Sequence, residues 1–236
     1  MKATGTQQPV QTAPQAGAAA KPSVKERLTD LLFLLLGLII AHFGVTLFLL
    51  TELGSDPFTT FVQGVSRQVH LSIGICHVAI LILLMVIMMI TAKGYIRIGS
   101  AVCAFCGGWI IDFFKWLIGD RISGSTDFWI RIAVMLLGCG ILSFGMSIVI
   151  ESRAGTGPND LIAIILTDKL YPKLHLQFRW VRILCDCILI GIGFCLGGRL
   201  GIGTIAAACL VGPLVQMFLP TARRLLKKEP QHASSV

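Results

Sequence analysis

Six stretches of this chain, 28–50, 73–92, 97–118, 129–150, 178–197 and 200–219, each run for around twenty residues with few charged side chains. A helix needs about 20 apolar residues to cross a hydrocarbon core of about 30 Å, and in lipid every backbone polar group must be bonded internally. Continuous apolar runs, in place of alternating ones, therefore predict helices. Charged residues make up 14% of the sequence, whereas a soluble domain carries about 25%. The expected fold class is all-α: a polytopic helical membrane protein with little chain left over for a soluble domain.

Residues 1–27 are rich in Ala, Gln, Thr and Pro and contain no apolar run, so they cannot offset the entropy of ordering and are expected to form a disordered tail. Residues 221–236 read as a basic tail. No cleavable signal peptide is expected, because the first apolar run is too long for an h-region and Lys25 and Arg27 precede it as they would a signal anchor. The net charge of +8 is a topology signal, because basic residues collect at cytoplasmic span ends. Lys21, Lys25, Arg27, Lys93, Arg97, Arg153, Lys169, Lys173, Arg179, Arg223, Arg224, Lys227 and Lys228 share one set of ends; Arg67, Lys115, Arg121, Arg131 and Arg199 share the other. The denser set puts both termini in the cytoplasm, and the charge does not indicate nucleic acid.

The chain is also written twice. "TELGSDPFTTF" (51–61) and "SRAGTGPNDLI" (152–162) both place G-x-x-P just past an apolar run, and Pro158 follows Pro57 by 101 residues. The same offset pairs Gly54 with Gly155 and Gly37 with Gly138; downstream, at an offset of 104, Ile98-Gly99-Ser100 meets Ile202-Gly203-Thr204. Two units follow, 28–118 and 129–220, each with three spans and an additional short helix, 57–70 or 158–170. An odd number of crossings per unit turns the second copy over, which makes an inverted repeat. That holds if the short helices, about 20 Å long at about 1.5 Å per residue, do not cross. If both did, eight spans and a parallel repeat would result, and charge does not exclude that.

G-x-x-P is a helix start. Proline at the first helical position forfeits an N–H that would be unbonded anyway, Asp56 is a good N-cap and Gly157 an acceptable one, and Asp160 adds a carboxylate near the positive end of the helix dipole. Gly54 and Gly155 let the backbone bend ahead of each start. Two readings remain open: amphipathic helices lying at the interfaces, or re-entrant half-helices whose N-termini converge near the midplane to make a site.

The G-x-x-P after the first span, "GTGPNDLI" at 155–162, and "GGRLGIGT" at 197–204 closing on Gly212-Pro213 resemble the bacterial YczE/YyaS/YitT group of integral membrane proteins over about residues 28–220. The second half is the better copy; the first has Thr59 where an acidic residue would be expected. The resemblance implies a bacterial inner-membrane protein of five or six spans and supplies no substrate or mechanism.

Ionisable groups inside spans are costly and so mark candidate solute or ion pathways. Arg182 and Asp186, one turn apart, share a face of the fifth span and can neutralise one another. Asp112 is expected deep in the third span, and His77 occupies the position equivalent to Arg182. With Asp160, these five are the candidate pathway; Gly54, Asp56, Pro57, Gly155, Gly157 and Pro158 are the half-helix starts. The plainer reading is that such groups hold helices together through polar contacts. His42 reads as a hydrogen-bonded packing residue, and Glu52, Glu151 and Arg153 as interfacial. All eight cysteines fall in expected spans, where thiols pack as small hydrophobes; "CAFC" and "CDC" have no answering partner for a metal or redox site.

No phosphate-binding glycine loop, H-E-x-x-H or G-x-S-x-G is present, so neither an enzyme nor a cofactor is expected. The partners expected are membrane lipids and a small polar solute, with a homo-oligomer left open. The favoured function is a transporter or channel. The alternative is a non-transporting accessory protein that binds a cytoplasmic partner through 151–177 and "TARRLLKKEP".

Overall fold

A computed structural model describes residues 23–92, 95–119, 127–174 and 178–226. Of the expected tails, 1–27 and 221–236, residues 1–22 and 227–236 lie outside the described residues, as does Arg121, while residues 24–27 and 221–225 belong to the first and last helices. Among the described residues eight helices follow one another: α1 (Val24–Thr51), α2 (Pro57–Val69), α3 (Ile73–Thr91), α4 (Ile98–Ile118), α5 (Phe128–Glu151), α6 (Pro158–Leu174), α7 (Phe178–Cys195) and α8 (Ile202–Leu225). Five of them, α1, α3, α4, α5 and α8, are long and apolar enough to cross a membrane. The expected fifth span, α7, is not among these; its 18 residues include Arg179, Arg182 and Asp186. The first helix starts ahead of position 28 because Ser23 and Glu26 close a capping box, the Glu26 N–H donating to Ser23 Oγ at 3.2 Å and the Ser23 N–H to Glu26 at 2.7 Å.

At the centre, α1 and α5 cross backbone to backbone. Gly37 lies against Gly145 and Val149, and Gly44 against Gly138 and Leu142, so the two helices run antiparallel. A Cβ at Gly37 would come within 2.9 Å of the Gly145 carbonyl oxygen and the Val149 nitrogen. Lipid offers no hydrophobic drive between helices, so this close approach of small residues is what holds such a pair together. Leucine, phenylalanine and methionine side chains from both helices, among them Phe48, Leu49, Met135 and Leu142, fill the space around it. Helix α4 packs on α1, and α8 packs on α5. Phe33 and Ile148 meet Ala222 and Leu226, which brings the start of α1 and the end of α8 to the same end of the bundle.

The two units exchange equivalent contacts. The Gly203 N–H donates to the Leu53 carbonyl at 2.8 Å, and the Gly99 N–H donates to the Ala154 carbonyl at 3.1 Å. Gln68 Nε2 donates to the Leu196 carbonyl at 3.0 Å, and Lys169 Nζ donates to the Thr91 carbonyl at 3.3 Å. In both cases each unit gives what it receives. Gly54 sits at φ +109° with Thr204 and Gly201 against its Cα, and Gly155 at φ +141° against Ser100 and Arg97; both the backbone angle and the space demand glycine.

One relation is not matched. Helix α3 lies on α4 with Gly74 against Gly108. Its counterpart α7 packs mainly on α2, through Gly64 and Gly193, and scarcely touches α8. A cleft of about 470 Å³ opens there, lined by Ile190, Thr204, Ile205, Ala208 and Cys209.

Candidate functional site

The two short helices begin as the G-x-x-P signal requires. Pro57 is the first residue of α2, and the Asp56 side chain accepts the Thr59 N–H at 3.1 Å. At α6, the Gly157 carbonyl accepts the N–H groups of Asp160 and Leu161 at 3.1 and 3.2 Å, and Pro158 is fully buried. Their far ends point apart. Arg67 and Gln68, near the end of α2, bond the carbonyls of Gly197 and Leu196 beyond α7. Asp168 and Lys169, late in α6, bond Tyr95 and the Thr91 carbonyl at the turn between α3 and α4.

The start of α6 is held by one guanidinium from α7. Arg182 Nη1 donates to Asp160 Oδ1 at 2.9 Å, and Arg182 Nε lies 3.8 Å from Asp186 Oδ2. Asp56 is also within electrostatic reach of Arg182 and of Asp160. The Asp160 carboxylate is 14% exposed and that of Asp186 32%, so the first is the tighter partner by burial as well as distance. Two carboxylates and one guanidinium thus meet at the α6 N-terminus, worth about half a positive charge, with the Asp56 cap of α2 acting on them at longer range. Buried hydroxyls of Ser55, Thr59 and Thr60 line the α2 side.

Of the five pathway candidates, the structure brings Arg182, Asp186 and Asp160 into one cluster. His77 is buried elsewhere on the same surface, against Phe58 at the start of α2 and His42 on α1. Asp112 is not in the cluster and is not deep. Its carboxylate accepts the Ser72 hydroxyl and, at 3.0 Å, the Gly74 N–H, so it caps the beginning of α3 and lies level with that end of the bundle. Glu52 pairs with Arg199, and Glu151 with Arg223 at 2.7 Å, so both interfacial acids are tied across the bundle. Arg153 takes positive φ, and its carbonyl accepts from Arg97 Nη1 at 3.0 Å. No group of His, Cys, Asp and Glu suited to a metal occurs among the described residues.

Sequence spacing missed the role of Asp56 beyond its cap, and the pairing of His42 with His77. The repeat carried a signal for both. His77 and Arg182 are equivalent positions, and each faces the start of its own unit's short helix.

The sequence model of a family described as "Family of unknown function (DUF6198)" matches residues 28–220. The "Uncharacterized membrane protein YczE" of Bacillus subtilis is 27% identical over 195 residues, covering 82% of this chain and 87% of that protein. An "Uncharacterized protein" of Haemophilus influenzae is 26% identical over 92% of this chain and 95% of its own length. The "Uncharacterized protein YyaS" of Bacillus subtilis is 25% identical over 80% of this chain and 92% of that one. No solved structure matches the chain at a significant level. Relatives of this name and the run of apolar helices together identify an integral, multi-pass membrane protein.

Proposed function

Because the chain belongs to the family of unknown function DUF6198, its activity has to be read from its own residues, and we propose that it is a non-enzymatic transporter or channel for a small polar solute in the bacterial inner membrane. The observation that carries this is the ion cluster of Arg182, Asp160 and Asp186 at the start of α6, beside the α2 helix on which α7 packs. A charged residue at a span centre costs about 2.5–3.5 kcal/mol even on insertion scales, and three are gathered here. Helix packing alone needs no such cluster. Paired half-helix N-termini inside a duplicated bundle are a known way to present positive dipole ends to a solute.

The exchanged hydrogen bonds and the antiparallel crossing of Gly37 and Gly44 with Gly145 and Gly138 support an inverted repeat with six crossings, α7 being the sixth. A parallel repeat of eight crossings would run α1 and α5 the same way. Arg97, Arg153 and Arg223 share the end where α1 starts and α8 finishes, which supports cytoplasmic termini.

In the geometry described, Arg182 is occupied by Asp160 and Asp186. An acidic group on the solute must compete with them, and a proton delivered to either carboxylate weakens its hold. Freed, Arg182 and the two helix N-termini form an anion site. Solute and proton would therefore enter together. The closed α3–α4 contact and the open cleft between α7 and α8 give the two units the unequal packing that alternating access requires. A screen in liposomes containing the purified protein, using small organic and inorganic anions with and without an inward proton gradient, tests this. Gradient-stimulated uptake is expected; no uptake across the panel would leave the accessory role.

A further inference from the structure

At each end of the bundle a turn of one unit is bonded to a turn of the other, so one joint is built twice. At the end where α1 finishes, the α7–α8 turn meets the α1–α2 turn. There the Gly203 N–H donates to the Leu53 carbonyl at 2.8 Å, and the Ser55 N–H donates to Thr204 Oγ1 at 3.3 Å. At the end where α5 finishes, the α3–α4 turn meets the α5–α6 turn, and the Gly99 N–H donates to the Ala154 carbonyl at 3.1 Å. In the repeat Ser100 stands where Thr204 stands, and Thr156 where Ser55 does. The second bond is missing at this joint. The Ser100 hydroxyl is 1% exposed and has no hydrogen-bond partner. It lies 3.1 Å from where a Cβ on Gly155 would be, as Thr204 Oγ1 lies 2.6 Å from where one on Gly54 would be. Burial follows the bonds, because Gly54 and Ser55 are buried whereas Gly155, Thr156 and Gly157 are half-buried. An ion pair, Glu52 with Arg199, also crosses the first joint; across the second, Arg97 Nη1 donates to the uncharged Arg153 carbonyl at 3.0 Å.

A buried hydroxyl without a partner is costly, and opening the joint around it to water supplies one; a hydroxyl already bonded loses its partner when its joint opens. The closed state is therefore undercut at one end of the molecule and secured at the other. We propose that the joint between the α3–α4 and α5–α6 turns is a gate that opens, that Ser100 sets how readily it does so, and that the matching joint at Thr204 is the held end. The turn at 154–157 leads directly into Pro158, so parting it from Ser100 bares the start of α6, where Asp160 holds Arg182. With the orientation proposed above, the gate faces the cytoplasm. As a passage for solute it rests on the transport reading; as a joint that opens it does not. Ser100→Ala removes the unpaired hydroxyl and tightens the gate. Thr204→Val removes the partner of the buried Ser55 N–H, keeps the shape of the side chain, and loosens the held end. Equivalent positions thus respond in opposite senses.

Two equivalent positions report the two joints. Cys103 is 3% exposed and packs in one cluster with Ala154; Ala207, its mate at the offset of 104, is 3% exposed and packs in one cluster with Leu53. The test uses the full chain in detergent micelles, with no solute added, and the rate of labelling by a charged maleimide. One background keeps Cys103 with every other cysteine replaced by alanine; the other replaces all native cysteines and carries Ala207→Cys. Each rate is divided by that of the same protein after denaturation, which gives a protection factor. The expected result is weaker protection at Cys103 than in Ala207→Cys. Ser100→Ala slows labelling at Cys103 by about fivefold or more, and Thr204→Val speeds labelling in Ala207→Cys by a similar factor, whereas Thr204→Ser, which keeps the oxygen, leaves it unchanged. Elution volume shows that each variant is folded, and Ser100→Ala decides alone where Thr204→Val is not. Equal or stronger protection at Cys103, labelling there that is unchanged or faster in Ser100→Ala, or a folded Thr204→Val that labels as its parent does would overturn the proposal. Labelling needs no solute, so a chain that transports nothing can still show the gate, and a transporting chain can still lack it.

Discussion

Arg182 on α7 hydrogen-bonds Asp160 at the start of α6 at 2.9 Å, closer than its own-helix neighbour Asp186 at 3.8 Å. The bond ties the short helix of the second unit to the helix that follows it, and it uses a carboxylate that already sits at a dipole end. Removing one partner leaves the other charged and poorly solvated.

Asp160→Asn is accordingly expected to lower stability by about 1–3 kcal/mol, discounted because Arg182 is partly exposed, or roughly 2–10 °C in Tm for a chain of this size. Adding Arg182→Gln should recover part of that loss. Thermal unfolding in detergent of both single variants and the double variant measures the coupling; strictly additive losses would mean that the ion pair contributes nothing.

Asp112→Asn should behave differently. It weakens the cap of α3 and costs about 1 kcal/mol, a small Tm shift, while solute uptake persists. Loss of uptake in a protein of near-normal Tm would return Asp112 to the pathway.

The crossing of α1 and α5 makes a sharper demand. Gly44→Leu places a side chain inside the backbone of α5, whereas Gly140→Leu on the same pair meets open space. Overpacking costs about 1–3 kcal/mol or more where the neighbour is backbone. Size-exclusion profiles should show Gly44→Leu aggregated and Gly140→Leu monodisperse; equal behaviour would contradict the antiparallel contact.

Single cysteines in a cysteine-free background address the orientation. A cysteine at Arg67 or Arg199 should react with an impermeant maleimide from the outside of cells, and one at Arg97 or Lys169 only after the membrane is opened. Labelling of Arg67 and Lys169 from the same side would remove the inverted repeat.

How much of this was legible beforehand depends on the range of the interaction. Apolar runs, caps and the G-x-x-P starts are local, and they located the starts of α2 through α8 to within about two residues, whereas α6 and α8 run on to Leu174 and Leu225, past the expected ends at 170 and 219. The repeat offset was legible too, because Gly37, Gly44, Gly138 and Gly145 recur in register. What spacing could not show was depth and partner. Asp112 lies in an apolar run, yet its level is fixed by where α3 begins, a property of another helix. Asp186 is the i+4 neighbour of Arg182, and spacing alone favours such pairs; the closer carboxylate comes from 22 residues earlier in the chain, on the preceding helix. His42 passed as a packing residue because its meeting with His77 is set by the third dimension.

The central claim is that Arg182 and Asp186 act on solute and do more than join helices. A paired charge that only packs can be replaced by neutral groups at little net cost. The deciding measurement is gradient-driven uptake in liposomes by the triple variant Asp160→Asn, Arg182→Gln, Asp186→Asn, which neutralises the whole ion cluster, with an anion that the wild type accepts. The account predicts a variant that elutes and inserts as the wild type does and takes up solute no faster than empty liposomes. Uptake at the wild-type rate would contradict it.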